Sequence, residues 1–323
     1  MSTTELLQLL TGGVVLGALY GLIAVGYTMV YGIAGLINFA HGEIFMLGGF
    51  GALFVYTWVP ALHHAGLWLV LPILLIAGVC VSVSVALTAE RLAYRPLRHA
   101  PRLAPLITAI GLSIALQQLT FLFYPGKNAA GKAAFGASQP QVFPQLPGSP
   151  IHLGGIVIQR ADVVTVVLAA ICMAALAWFV ARTRLGRAMR ATALDPDAAR
   201  LMGIDTDRLI ALAFAIGAAL AAVAALAQGL KYGQVSFGMG FIAGLKAFTA
   251  AVLGGIGSVQ GAMLGGLLLG VVESLAAGGL GHIHAVAQFG GGAWSDVWAF
   301  VVLIVVLLVR PQGLVGTSAG DRA

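Results

Sequence analysis

Three groups of residues could do chemistry in this otherwise apolar chain of 323 residues. The first is Asn38, His41 and Glu43, an amide, an imidazole and a carboxylate inside the glycine-rich run 32–51. That run lies between two apolar stretches and holds enough glycine to break a helix. Non-helical backbone at membrane depth survives only where protein or a water-filled cavity satisfies its polar groups. The run is therefore either the wall of a translocation path or a tight turn between helices. On the second reading His41 and Glu43 are hinge or capping groups, and Asn38 caps the second helix. The second group is Lys246 and Glu273, two charges within apolar runs. A charge at the centre of a span costs about 2.5–3.5 kcal/mol on insertion scales, so it is paired or functional. Counted from the glycine break at Gly254, Gly255 and Gly257, the two lie roughly 16 Å and 20 Å along their helices at 1.5 Å per residue. Similar depth allows either a helix-locking ion pair or two groups that meet the charged ends of a zwitterion. The third group lies in the polar stretch 182–208 and reads as a structured docking element, as argued below.

Other chemistries find no support. A phosphate-cradling loop needs Gly-Lys followed by Ser or Thr, but Gly126-Lys127 precedes Asn128 and Gly131-Lys132 precedes Ala133. There is no nucleophile elbow, zinc-helix motif or cysteine pair at metal spacing. Cys80 and Cys172 both sit in apolar runs and read as packing residues. The expectation is a chain that is not an enzyme and holds no cofactor of its own.

The elements that must position these residues are transmembrane helices. Hydrophobic residues are 60% of the chain and charged residues only 9%, against about 25% charged in soluble domains. The apolar runs are continuous and about twenty residues long, as a spanning helix requires, rather than alternating as in an outer-membrane barrel. The expected fold is an all-α integral membrane protein, a polytopic helical bundle of about eight to nine spans with glycine-rich breaks. It forms one transmembrane domain over 1–323. The expected spans are 6–30, 43–58, 67–89, 103–124, 161–181, 209–230, a short 245–253, 260–277 and 297–309. Gly13, Gly17 and Gly21 repeat at the spacing that lets another helix approach closely. An outer loop at about 125–160 contains a hairpin turning on Gly154-Gly155. A second, glycine-rich outer loop carries His282, His284 and Asp296. The segment 1–8 lacks the basic residues of a cleaved leader, so the first helix is expected to be retained.

Arginine sets the orientation. The segments after the third and fifth spans and the tail together hold twelve of the seventeen basic residues. The positive-inside rule places them in the cytoplasm, with the N-terminus periplasmic and the C-terminus cytoplasmic. The net charge of +6 is thus a topology signal and not a nucleic-acid footprint. His41-Gly42-Glu43-Ile44-Phe45-Met46-Leu47-Gly48-Gly49 also echoes Gln260-Gly261-Ala262-Met263-Leu264-Gly265-Gly266, which would fit a parallel internal repeat.

Within 182–208, Asp195 suits an N-cap, Pro196 the first helical position and Gly203 the position just past the end. This predicts a helix of two turns over 196–202 carrying Asp197, Ala198, Ala199 and Leu201. A topology signal alone needs no caps at both ends, so this short cytoplasmic helix is read as a docking knob.

With these residues in view, the chain resembles the permease subunits of bacterial ABC importers for branched-chain amino acids. The likeness rests on Gly35-Leu36-Ile37-Asn38-Phe39-Ala40-His41-Gly42-Glu43, on Gly186-Arg187-Ala188-Met189-Arg190-Ala191 with Asp195, Ala199 and Met202-Gly203-Ile204, on 246–258, and on Arg310-Pro311-Gln312-Gly313-Leu314. It implies a second permease chain, homologous or identical, two cytoplasmic ATP-binding subunits that hydrolyse the ATP, and a periplasmic substrate-binding protein. It implies that Arg187, Arg190, Asp195, Pro196, Asp197, Ala199 and Gly203 belong to the ATPase-coupling loop. The location implied is the inner membrane, in contact with lipid. Related importers carry other amino acids, urea or short amides, so the ligand stays open. The competing reading is a proton-coupled secondary transporter of small zwitterionic or polar solutes, with Glu273 or Glu43 as its titrating carboxylate.

Overall fold

The computed structural model describes residues 1–98, 100–101, 103–127, 133–279, 288, 291–310 and 312–315. Eleven α-helices are described. They are α1 (Thr3–Ala34), α2 (His41–Trp58), α3 (Leu67–Ala89), α4 (Leu103–Phe123), α5 (Arg160–Arg182), α6 (Arg184–Leu194), α7 (Pro196–Leu201), α8 (Thr206–Tyr232), α9 (Met239–Gly254), α10 (Val259–Gly279) and α11 (Gly292–Val309). By length and composition, α1, α3, α4, α5, α8 and α10 can each cross a membrane, and α9 and α11 are shorter apolar helices. With α2, the described residues hold nine helices of 16 residues or more, in keeping with the expected eight to nine. His282, His284, Asn128, Gly131 and Lys132 lie outside the described residues.

Local sequence sets the helix ends. The Ser2 hydroxyl accepts from the Glu5 N–H, and Glu5 accepts from the Ser2 N–H, a reciprocal cap that starts α1. The helix ends at Gly35, whose φ of 66° is one that side-chain-bearing residues rarely adopt. Asp205 caps α8, and Gly233 at φ 66° closes it. The segment after α3 does not leave the helix at once. It tightens into a wide turn over Glu90–Tyr94 and a narrow one over Arg95–Leu97.

Glycine decides which helices form the centre. A Cβ on Gly13 would lie 2.7 Å from the Val271 Cα, and one on Gly17 would lie 2.6 Å from the Leu267 Cα. The partner residue number falls as the α1 number rises, so α1 and α10 run antiparallel with their backbones in contact. Gly42 of α2 meets Gly240 and Gly244 of α9 in the same way. Apolar helices have no hydrophobic preference for each other over lipid, so close backbone approach supplies the attraction. Outside this centre, α3, α4, α5 and α11 leave Trp68, Ile107, Ile171, Trp178 and Leu308 exposed, as a lipid-facing shell would.

The outer loop forms short antiparallel ribbons: β1 (Pro125–Lys127) with β2 (Ala133–Phe135), β3 (Gln141–Val142) with β6 (Gln234–Val235), and β4 (Ile151–Leu153) with β5 (Ile156–Ile158). The β4–β5 hairpin turns at Gly154-Gly155 as expected. Gln8 fastens it to α1 by bonding both the N–H and the carbonyl of Val157.

The seventh expected span, 245–253, is longer than its apolar run implied: α9 begins at Met239. Gly240 and Gly244, which read as loop residues, sit inside α9 because they face Gly42. Asp296 belongs not to a loop but to the first turns of α11.

The α1–α10 contact has a direct test. A Cβ on Gly270 would collide with the Gly17 backbone, whereas one on Gly111 meets nothing within 4 Å. Overpacking of this kind costs about 1–3 kcal/mol. Gly270→Ala is expected to lower the thermal midpoint in detergent by several degrees, and Gly111→Ala to leave it in place. Equal midpoints for the two variants would contradict the packing.

Candidate functional site

The predicted residues gather into three groups along the bundle. Nearest the arginine-poor end, α9 brings Lys246 against α10. Its Nζ lies 2.7 Å from the Glu273 Oε1. The predicted pair therefore forms, in a larger cluster than the sequence indicated. The Lys246 Nζ also lies 2.6 Å from the Asp296 Oδ1 of α11 and donates to the Tyr20 hydroxyl of α1 over 3.2 Å. Lys246 and Glu273 are buried and Asp296 is half exposed. A cavity of about 270 Å³ adjoins them, lined by Tyr20, Gln228, Tyr232, Met239, Lys246 and Glu273 among others. Tyr20 and Asp296 escaped sequence reasoning, since one reads as an ordinary aromatic in an apolar helix and the other sits beside a glycine run.

The middle group is Asn38, His41 and Glu43, all buried. Its depth differs from that expected. The chain does not turn at the end of α1 but re-enters the bundle. His41 packs against Gly26 and edge-on to Tyr27 at a ring distance of 4.8 Å. Gly26 precedes the end of α1 by eight residues, so α2 starts roughly 12 Å inside the bundle at 1.5 Å per residue. Asn38 does not cap α2. Its Oδ1 accepts from the Tyr94 hydroxyl at 2.6 Å, and the N-cap position of α2 is Ala40, which offers no side-chain cap. Glu43 accepts from Ser113 of α4 at 3.3 Å. The Asn38 Nδ2, His41 Nε2 and Glu43 Oε2 are buried with no hydrogen-bond partner among the described residues. Such atoms are rare in native interiors and call for a reason.

The third group occupies the arginine-rich end. The predicted helix forms as α7, one residue shorter than expected. The Asp195 carboxylate accepts from the N–H groups of Asp197 and Ala198, both at 2.9 Å. Pro196 stands at the first helical position, and Gly203 has φ 81°. The Ile204 N–H donates back to the Ala199 carbonyl, closing the C-terminal cap. Two features correct the sequence reading. Arg187 and Arg190 lie on a further helix, α6, started by Thr183 accepting from the Gly186 N–H. Ala199 does not belong to the exposed face. It is 4% exposed, while Leu194, Leu201 and Met202 are 81%, 89% and 83% exposed. Three large apolar side chains thus project from the arginine-rich end.

A cavity of about 740 Å³ joins this group to both glycine breaks, with Gly32, Gly35, Arg190, Asp195, Ile256 and Gly257 in its wall. A Cβ on Gly32 would lie 3.7 Å from the Gly257 Cα, so the breaks are adjacent. The tail closes the second break. The Leu314 and Val315 N–H groups donate to the carbonyls of Leu253 and Gly254, and Gly313 packs on Gly255.

A chain of polar contacts runs from the third group to the second. Arg200 bonds Asp197 and Thr206, fixing α7 to the start of α8. Asp207 then pairs with Arg95 at 2.6 Å and with Arg98, and Arg98 also bonds Glu90. Glu90 and Tyr94 share the wide turn, and Tyr94 holds Asn38.

The family model described as branched-chain amino acid transport system / permease component matches residues 9–307. The high-affinity branched-chain amino acid transport system permease protein BraD of Pseudomonas aeruginosa is 45% identical over 322 residues, covering 98% of this chain and 97% of its own. LivH of Escherichia coli K12, a permease protein of the same description, is 42% identical over 319 residues, with 98% and 97% covered. A probable branched-chain amino acid transport permease protein LivH of Methanocaldococcus jannaschii is 26% identical over 316 residues.

The ion cluster carries its own expectation. Removing one partner of a buried pair costs about 3–5 kcal/mol because it leaves a buried charge uncompensated. The exposure of Asp296 draws the loss for Lys246→Met toward the lower figure. Adding Glu273→Gln to that variant is expected to restore more than half of the lost thermal stability in detergent. A double variant no more stable than Lys246→Met would contradict the pairing.

Proposed function

The chain belongs to the branched-chain amino acid transport system permease family, and from that premise we propose that it is the membrane-spanning subunit of an ABC importer that carries branched-chain amino acids into the cell. It performs no catalysis itself. Two cytoplasmic ATP-binding subunits supply the energy, a second permease chain completes the pore, and a periplasmic binding protein delivers the ligand. The arginine-rich end faces the cytoplasm in the inner membrane, with the N-terminus periplasmic and the C-terminus cytoplasmic.

One observation carries the coupling: α7 is capped at both ends and projects Leu201 and Met202 beyond the bundle. Exposed apolar side chains next to charged ones mark a partner surface. Arg187, Arg190, Asp195, Pro196, Asp197, Ala199 and Gly203 build this coupling element: the arginines and Asp197 supply charge, Asp195, Pro196 and Gly203 set the helix ends, and Ala199 is its buried side.

The mechanism is alternating access. Closure of the ATP-binding subunits displaces α6 and α7. The contacts through Arg200, Asp207, Arg98 and Tyr94 carry that displacement to Asn38 and the re-entrant segment. Gly257 stands beside Gly32 at the inner end, and the break it shares with Gly254 and Gly255 moves against it. The unpartnered atoms of Asn38, His41 and Glu43 support this reading, because a segment with two resting positions leaves some polar groups unpaired in either one. Lys246 and Glu273 line the path above it.

The test is the double variant Asp195→Ala, Gly203→Val. Loss of a side-chain N-cap costs about 1 kcal/mol, and a β-branched residue in the left-handed region adds about 1–2 kcal/mol, enough to melt a six-residue helix. In proteoliposomes holding the assembled importer, ATP-driven leucine uptake is expected to fall more than tenfold, with unchanged amounts of inserted permease. Uptake at the wild-type rate would contradict the coupling role.

A further inference from the structure

Among the described residues, the cluster around Lys246 is short of one positive charge. One ammonium faces two carboxylates, Glu273 at 2.7 Å and Asp296 at 2.6 Å. No other cation is paired with either carboxylate among the described residues. The Glu273 side chain is 7% exposed, and its Oε2 has no hydrogen-bond partner among the described residues. A buried carboxylate oxygen without a donor is costly. Glu273 and Lys246 both line the cavity of about 270 Å³. The rest of its wall supplies apolar surface from Leu16, Leu19, Met239 and Ile242, with Gln228 and Tyr232 as polar groups. An anionic corner beside an ammonium, opening on a chamber with an aliphatic wall of Leu16, Leu19, Met239 and Ile242, matches the three parts of an aliphatic amino acid.

We infer that this chamber binds the transported amino acid as a zwitterion, an inference that rests on the amino-acid permease reading above. The substrate ammonium lies against Glu273 and supplies the missing charge. Its carboxylate takes the place of Asp296 at Lys246, and its aliphatic side chain lies against Met239 and Ile242. Asp296 is the group that yields. At 46% exposure it can return to water, whereas Glu273 cannot. The bound state then holds two balanced pairs in place of one ammonium shared by two acids. Asp296 is thus a competitor for the substrate carboxylate, and Glu273 is its counterpart for the ammonium. A cationic amine or a metal ion would meet Glu273 but leave Lys246 with Asp296, and a carboxylic acid alone would leave one ammonium shared by two carboxylates, as Glu273 and Asp296 share Lys246.

The experiment uses the assembled importer in proteoliposomes, with leucine as the transported probe. Isopentylamine, 4-methylpentanoate and sodium ions serve as probes of each half of the site. Glu273→Gln is expected to raise the half-saturating leucine concentration about tenfold or more, the scale of one lost charge-assisted hydrogen bond. Asp296→Asn is expected to lower it, a change of opposite sign that a merely structural role would not give. Ile242→Trp, which fills the chamber without touching the charges, is expected to reduce leucine uptake, so the inference does not depend on Glu273→Gln folding. In the wild type, neither isopentylamine nor 4-methylpentanoate alone should inhibit as well as unlabelled leucine. Unchanged half-saturation in Glu273→Gln and Asp296→Asn, with wild-type leucine uptake intact, would overturn the site and leave the permease reading standing. Inhibition by sodium that matches leucine and vanishes in Glu273→Gln would assign the missing charge to a metal ion and overturn the zwitterion. A wild-type complex that takes up no leucine with ATP would overturn both.

Discussion

The architecture depends on backbone-to-backbone contact through glycine. Gly13 and Gly17 of α1 lie on α10, and Gly42 of α2 lies on Gly240 and Gly244 of α9. In a bilayer, side-chain hydrophobicity gives helices no reason to prefer one another over lipid. Close van der Waals contact does, and only residues without side chains permit it. These two seams fix how α9 and α10 stand against α1. That in turn puts the Lys246 ammonium, carried by α9, among Glu273, Asp296 and Tyr20. The ion cluster is a consequence of the seams rather than their cause, since a buried ion pair seldom returns more than its desolvation cost.

Non-helical backbone inside the bundle follows from the same constraint. Because α2 starts beside Gly26 rather than at the end of α1, residues 35–40 run through protein and not through lipid. Some of their polar groups find partners there: the His41 N–H donates to the Asn38 carbonyl, and the Asn38 Oδ1 accepts from Tyr94. The second break is satisfied by the tail, whose Leu314 and Val315 N–H groups reach the last carbonyls of α9. Both breaks are therefore supported by segments distant in sequence, while Gly35 and Gly257 stay open to the inner cavity.

How much of this was legible varied with the range of the interaction involved. The ends of α3, α4 and α5 agree with the reading to within a residue because apolar length defines them. The cap residues of α7 were legible for the same reason: Asp195, Pro196 and Gly203 act on their immediate neighbours. The Lys246–Glu273 pair could be anticipated from depth alone. The remainder depended on contacts that no local pattern records. Ala198, Ala199 and Leu201 look alike in composition, but tertiary packing buries Ala199 and leaves Leu201 out. Gly240 and Gly244 read as a loop until Gly42 is known to face them, and Asp296 read as loop because glycines precede it. Tyr20 gave no signal, since only the third dimension brings it to Lys246.

In the proposed mechanism, the two glycine breaks form the moving inner end of the path, driven by the coupling element and lying below the chamber inferred to read the substrate's charges. Gly32 and Gly257 are adjacent, so residues at this junction can be joined chemically. The most direct measurement is ATP-driven leucine uptake by the assembled importer carrying Gly32→Cys and Ser258→Cys, with Cys80 and Cys172 replaced by alanine and a short thiol crosslinker applied. Uptake should stop on crosslinking and continue when either cysteine is present alone and modified. Full uptake with the two breaks covalently joined would show that the inner end does not move, and the account would fail.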